Sequence, residues 1–340
     1  MPAVPQGKVL VTGCNGYVAV WVVKQLLEDG YAVRGTVRRA SAIAYLQRLF
    51  ESYGSRFEVV IKGAFDDAVK GVDAIMHLAS PFHLRADDPQ ELIGPAVVGT
   101  RSILASALAD GNTSVRRVVI TSSCAAVLEE DPDLSKSRTF READWDELAI
   151  RDVAAHGRAA DQANKCHASK ALAERAAWAF AAEHKSAARF DVVALNPPYV
   201  YGPWLHEVAA PEQLNTSMLA FWDAVIRGNK TMEELAAERQ SWVDVRDLAV
   251  ARALALKREG AGGERIIVSS GPWNWQDFVT AAHKLEPALP AGNNLYNPAT
   301  AVYHTCFDNS KSRRVLGIEY RGIDETTRDC VAQFKALGWM

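Results

Sequence analysis

Thr12-Gly13-Cys14-Asn15-Gly16-Tyr17-Val18-Ala19 places two glycines immediately after an apolar run, Lys8–Thr12, and before a segment of helical periodicity. Glycines at such a junction permit a tight turn and let backbone N–H groups approach a pyrophosphate at the start of the helix. Thr12, Gly13, Asn15, Gly16, Tyr17 and Val18 are therefore the candidate nucleotide contacts. About 20 positions further on, a carboxylate would read a ribose 2′-hydroxyl and a guanidinium a 2′-phosphate. The second strand ends Thr36-Val37-Arg38-Arg39 with no carboxylate, so Arg38 points to NADP(H) over NAD(H), a solvated arginine pair being the plain alternative. Cys166 and Lys170 stand four residues apart in an Ala-rich helical stretch and so share one helix face. A lysine there favours a reactive thiolate, against the ordinary alternative of a buried, inert cysteine. His167 lies about 100 degrees round that helix and is not an obvious base for the thiol.

The elements that must position these residues alternate. After the first strand and a helix over 16–29 come a strand at 32–37, a helix at 42–53, a strand at 57–61, a short helix at 65–70 and a strand at 74–78. A helix near 95–109, strands at 117–121 and 192–195 and a long helix at 161–183 continue the pattern. This reads as α/β, a doubly wound parallel sheet with helices on both faces. The pattern loosens after Gly202, and 242–245, 246–258 and 265–269 look like a return to the sheet. The expected division is 1–202 with about 241–270 as the nucleotide-binding domain, and 203–240 with 271–340 as a smaller C-terminal substrate lobe.

Ligands of open α/β sheets bind beyond the C-terminal ends of the strands, which singles out Phe82 and His83 after the fourth strand, and Tyr199. His83 and Tyr199 could move a proton or merely line a pocket. Trp204, Phe221, Trp222, Trp242, Trp273 and Trp275 suit either an aromatic-lined substrate site or ordinary core packing.

Composition narrows the partner. The 340 residues are 49% hydrophobic and 23% charged, which excludes disorder and fibrous repeats. Thirty-eight basic against 41 acidic residues, with no long run of one sign, give no nucleic-acid stripe or polybasic membrane anchor, so the partner is a small molecule. Five scattered cysteines with no C-x-x-C pair argue against a disulfide framework or a metal site and fit a reducing compartment. No apolar run is long enough to span a bilayer, and a cytoplasmic monomer or homodimer is expected.

With the glycine turn, Thr121-Ser122-Ser123 and Ala168-Ser169-Lys170 in view, the sequence resembles the extended short-chain dehydrogenase/reductase family. The resemblance is nearest to its dihydroflavonol reductase, cinnamoyl-CoA reductase and fungal aldehyde/ketone reductase branch. His77-Leu78-Ala79-Ser80-Pro81-Phe82, the 95–100 segment, Asn196-Pro197-Pro198-Tyr199-Val200-Tyr201-Gly202-Pro203, Trp242-Val243-Asp244-Val245-Arg246-Asp247 and Asp308-Asn309-Ser310-Lys311 extend it over nearly the whole chain. It implies a Rossmann-type fold, with Ser123 polarising a substrate carbonyl, Lys170 holding the nicotinamide ribose and Pro197 beside the cofactor. It also implies a proton-donating tyrosine at position 166, where this chain has Cys166. The connection Val59-Val60-Ile61-Lys62-Gly63-Ala64-Phe65 is shorter than the family's adenine-contacting loop, which predicts a truncated adenine pocket.

The sequence thus predicts an NADP(H)-dependent reductase of an apolar or aromatic aldehyde or ketone with an atypical active site. A non-redox lyase or hydrolase acting on a keto compound, and a catalytically decayed nucleotide-binding sensor, stand as alternatives.

Overall fold

The computed structural model describes residues 3–61, 63, 65–79, 86–109, 114–129, 137–237 and 240–340. Its strands are β1 (Lys8–Thr12), β2 (Ala32–Val37), β3 (Phe57–Ile61), β4 (Ala74–His77), β5 (Arg117–Thr121), β6 (Arg138–Phe140), β7 (Asp191–Asn196), β8 (Tyr199–Tyr201), β9 (Gln240–Asp244), β10 (Arg265–Ile267), β11 (Gly271–Trp273) and β12 (Thr305–Phe307). Seven of them form one parallel sheet in the order β10-β7-β5-β4-β1-β2-β3, a Rossmann-like α/β architecture. The order reverses between β1 and β4, whose last residues pair as Thr12 and His77. The crevice beyond those two strand ends is where such a sheet binds ligands.

Alternation along the central strands builds a core on each face. Val9 and Val11 of β1, Val119 of β5 and Val193 and Leu195 of β7 join the helices Tyr17–Glu28 and Val245–Lys257 on one side. Leu10, Val118, Ile120, Val192 and Ala194 pack on the other with residues of the helices Gln90–Leu108 and Gln162–Glu183. Near-continuous apolar strands are what a parallel sheet covered on both faces requires. At the β10 edge, Lys311 Nζ donates to the Arg265 carbonyl at 3.0 Å and Asn309 Nδ2 to the Ser269 carbonyl at 2.7 Å. Leu316 and Ile318 then enter the sheet-side core, although they fall within the stretch expected to complete the smaller lobe.

A separate aromatic core lies beside the three-stranded sheet β11-β9-β8. Trp204, Phe221, Trp222, Trp242, Trp273 and Trp275 are all buried in it, with Trp273 and Trp275 edge-to-face at 4.6 Å. These rings are packing residues. The aromatic-lined substrate site that the sequence left open is not made from them.

Local departures follow backbone chemistry. The helix expected over 42–53 is Ser41–Leu49, leaving helical geometry at Phe50, followed by a 3-10 stretch, Glu51–Arg56, that Gly54 kinks with a positive φ. After Gly202, where the sequence pattern loosens, a helix runs over Thr216–Phe221 and widens into a π-turn at Trp222–Ile226, and a further helix spans Met232–Ala237. Among the described residues no helix is long and apolar enough to cross a membrane.

Arg252 is an exception to polar satisfaction. It is fully buried in the Val245–Lys257 helix, and none of its three guanidinium nitrogens has a hydrogen-bond partner among the described residues. An unpaired buried charge opposes folding. Arg252→Met keeps the stem and removes the charge, and is expected to raise stability by about 1 to 2 kcal/mol in urea denaturation; a loss of that size would mean that the guanidinium is compensated.

Candidate functional site

The glycine turn is built by contacts that leave its backbone open. Thr12 Oγ1 accepts the N–H groups of Leu78 and Ala79, each at 3.0 Å, and meets His77 Nδ1 at 3.0 Å, which locks the ends of β1 and β4. Gly13 has φ +67°, and a Cβ there would stand 3.3 Å from that of Ala79. Gly16 precedes the Tyr17–Glu28 helix with no side-chain cap and no acidic residue in the first turn, so the helix N-terminus keeps donors and positive potential for an anion. Asn15 and Gly16 are exposed at this opening. Cys14 is sealed beneath it, its thiol pushed up to about 12 by burial, and Gly35 leaves room for it, since a Cβ there would lie 2.4 Å from the sulfur. Tyr17 spends its buried hydroxyl on the Gly202 carbonyl at 2.8 Å, so its backbone alone faces the turn, and half-buried Val18 packs between the sheet-side and aromatic cores.

Beyond β2 a cleft of about 300 Å³ opens, lined among others by Asn15, Arg38, Arg39, Ser41, Tyr45 and His206. Arg38 and Arg39 are exposed and form no ion pair among the described residues. Two guanidiniums against the single carboxylate of Glu207, with a hydroxyl and an open helix terminus, make this region suited to phosphate.

The carbonyl-facing candidates converge at the ends of β5 and β7. Ser123 caps a short turn, its Oγ accepting the Ala125 N–H at 3.1 Å. With that lone pair occupied, and only a 3.5 Å approach to the Pro197 carbonyl, the hydroxyl proton remains available to an acceptor. Pro197 holds the same turn by accepting the Cys124 N–H at 2.9 Å. Asn196 Nδ2 donates both to the Ser123 carbonyl at 3.0 Å and to Glu174 Oε2 at 2.8 Å.

Glu174 is the hub that the sequence reading missed. This buried carboxylate also accepts from Ser122 Oγ at 2.5 Å and Trp178 Nε1 at 3.2 Å, and pairs with Arg265 Nε of β10 at 2.6 Å. Arg265 in turn bonds the carbonyls of Ala126, Glu142 and Asp144 and stacks on Trp145 at 3.6 Å. Its signal was a lone carboxylate four residues after Lys170 in an Ala-rich helix, hence on the face of Cys166 and Lys170.

Lys170 is half-buried, and loss of hydration pulls its pKa below the ordinary lysine value while Cys166 works weakly the other way. With His77, Thr100, Thr121, Ser122 and Glu174 it lines a cavity of about 20 Å³, the room of one water. Cys166 is 5% exposed and packs against Ala86 and Leu92. Burial raises its thiol pKa, and the opposing pull of Lys170 is the smaller influence. Position 166 therefore holds a neutral packing thiol at neutral pH, and the thiolate expectation loses its physical basis. His167 is a brace, its Nδ1 3.1 Å from Asp146 Oδ2 while Asp146 Oδ1 caps the Glu147–His156 helix.

Buried Lys165 donates to the carbonyls of Ala86, Asp87 and Arg158, a clamp that no motif announced. Tyr199 is 49% exposed, its ring stacked 6.4 Å from Tyr201. Phe82 and His83 lie outside the described residues, as do Lys62 and Ala64 of the short connection after β3.

A model of the NAD dependent epimerase/dehydratase family matches residues 9–269. The chain is 32% identical to the NADPH-dependent methylglyoxal reductase of Saccharomyces cerevisiae over 343 residues, covering 96% of this chain and 97% of that protein. It is also 32% identical to a ketoreductase of Aspergillus niger, covering 95% of this chain and 96% of that one. The solved structure of the yeast methylglyoxal/isovaleraldehyde reductase complexed with NADPH matches with a TM-score of 0.82 at 29% identity, over 98% of this chain and 100% of that chain.

Glu174→Gln keeps the shape of the hub but leaves Arg265 unpaired in the interior. It is expected to cost about 3 kcal/mol, measured by chemical denaturation; a change under about 1 kcal/mol would mean that the pair does not hold the strand ends together.

Proposed function

Because the chain belongs to the NAD-dependent epimerase/dehydratase family, within the extended short-chain dehydrogenases/reductases, we propose that it is an NADPH-dependent reductase of an aldehyde or ketone. The observation that carries this reading is the Ser123 hydroxyl, held at the end of β5 with its oxygen engaged by Ala125 and its proton committed only to a long, 3.5 Å bond to the Pro197 carbonyl that a substrate carbonyl can displace. The nucleotide half is taken as 1–202 with about 241–270, and the substrate lobe as 203–240 with 271–340, the 310–318 segment packing back on the former.

The residues present fit the cofactor. The glycine turn tolerates no Cβ at Gly13 without crowding Ala79, the following helix start is uncapped, and the Arg38 cleft suits the 2′-phosphate. NADPH, when bound, supplies the hydride. Thr12, Gly13, Asn15, Gly16, Tyr17 and Val18 would hold its pyrophosphate side, and Lys170 and Pro197 its ribose side. Ser123 donates a hydrogen bond to the carbonyl oxygen and stabilises the charge that develops there. The half-buried ammonium of Lys170 adds positive potential in a partly desolvated site, where it counts for more than in water.

The proton is the weak point. A cysteine sulfur falls about 3 to 4 Å short of the place of a tyrosine oxygen, and about 1 Å of misplacement can cost about 100-fold. The buried thiol of Cys166 is also a poor substitute acid. Water delivers the proton instead, and turnover is slow. The sensor alternative draws on the same observation, with binding retained and turnover lost; no distance or burial favours the lyase or hydrolase.

Two outcomes test this. Cys166→Tyr is expected to raise NADPH-dependent reduction by about 10² or more across a panel of aldehydes and ketones; a variant that folds and binds NADPH yet reduces none of them overturns the reductase. Arg38→Ala is expected to weaken NADPH by about 1.5 to 3 kcal/mol in calorimetric titration and to leave NADH nearly unchanged. Equal loss for both would remove Arg38 from the 2′-phosphate.

A further inference from the structure

The arginine cleft is not made by the nucleotide half alone. His206 and Glu207, from the segment after β8, line it together with Arg38, Arg39 and Ser41. Three aromatic donors of the first two helices fix the approach to that segment. Tyr17 Oη bonds the Gly202 carbonyl, Trp21 Nε1 that of Pro203 and Tyr45 Oη that of Leu205, each at 2.8 Å. The backbone leading into His206 is therefore held in place before any ligand arrives, which lowers the ordering cost of using it as a ligand.

The imidazole itself is left with unmet polarity. Its Nδ1 is buried and has no hydrogen-bond partner, and the ring stands edge-on to Tyr17 at 5.6 Å. A buried polar nitrogen without a partner is costly and calls for an explanation at a functional site. Burial pushes its pKa down to about 4, so at neutral pH the ring is uncharged and carries one N–H to give. Nδ1 is closed to solvent, so the nitrogen that can meet a ligand in the cleft is Nε2, and that ligand is an anion because Arg38 and Arg39 have no ion pair there among the described residues. Glu207, exposed like the two arginines, sets one carboxylate against their two positive charges, so the cleft keeps a net positive charge.

We propose that His206 is a specificity residue for the nucleotide, donating a hydrogen bond from the 203–207 segment to the 2′-phosphate of the adenosine held in this cleft. The inference rests on the NADP(H) reading above and adds a ligand from outside the glycine-turn domain. It gives the chain a contact that joins its two halves through the cofactor.

The test needs no turnover. Adenosine 2′,5′-bisphosphate and adenosine 5′-monophosphate are titrated calorimetrically against the wild-type chain, His206→Phe, His206→Asn and His206→Gln. Phenylalanine keeps the ring against Tyr17 and removes the donor. It is expected to weaken the bisphosphate about tenfold and leave the monophosphate within about twofold. At least one of the amide variants, which restore a donor near one or other ring nitrogen, is expected to recover most of the loss. An unchanged bisphosphate affinity in His206→Phe, equal loss of both nucleotides, or no recovery by either amide overturns the proposal. Equal wild-type affinity for the two nucleotides overturns the NADP(H) reading, and this inference with it.

Discussion

The buried carboxylate of Glu174 is the constraint on which the candidate site depends. It draws hydrogen bonds or charge from Ser122 after β5, Asn196 at the end of β7 and Arg265 on β10, and so fixes three neighbouring strand ends against the Gln162–Glu183 helix. A buried carboxylate is tolerable only when its lone pairs and its charge are met, and here both are. The result is mechanical. Ser123 is held through its carbonyl by Asn196 and through its Oγ by Ala125, so the one hydroxyl proposed to touch a substrate carbonyl is positioned from two sides.

The same helix face shows how far charge can be carried into the site. Glu174, Lys170 and Cys166 recur every four residues, running from a paired carboxylate through a half-buried ammonium to a thiol packed on Ala86 and Leu92. Desolvation is the largest influence at both Lys170 and Cys166, and it acts in opposite senses: it pulls the amine down and pushes the thiol up. Each group is thereby moved toward its neutral form. The attraction between thiolate and ammonium that the spacing suggests is outweighed at Cys166 by the cost of ionising a thiol out of water.

Much of this architecture was legible in the sequence because its causes are local. Lys8–Thr12 and Arg117–Thr121 are apolar runs closed by turn residues, and both strands form where periodicity puts them. The glycine turn was legible for the same reason, since a positive φ at Gly13 is written into the residue type. The Glu174–Arg265 pair was not, because its partners are 91 positions apart and neither sits in a recognisable motif. The π-turn at Trp222–Ile226 was missed because its apolar pattern is also that of an ordinary helix. The aromatic residues illustrate a third case: composition marked them, but only burial separates a core tryptophan from a pocket wall.

The departure at position 166 is confined by this arrangement. Cys166 contributes to none of the bonds that hold Ser123, Asn196 or Arg265, and its neighbours Ala86 and Leu92 belong to a small apolar cluster apart from the ion pair. Removing a phenol from such a position need not disturb carbonyl polarisation or the glycine turn, because those depend on the Glu174 junction and on Thr12. Cofactor holding and proton delivery are thus separable properties of this scaffold. That separation allows a chain to keep the first intact while the second is reduced to what water can supply.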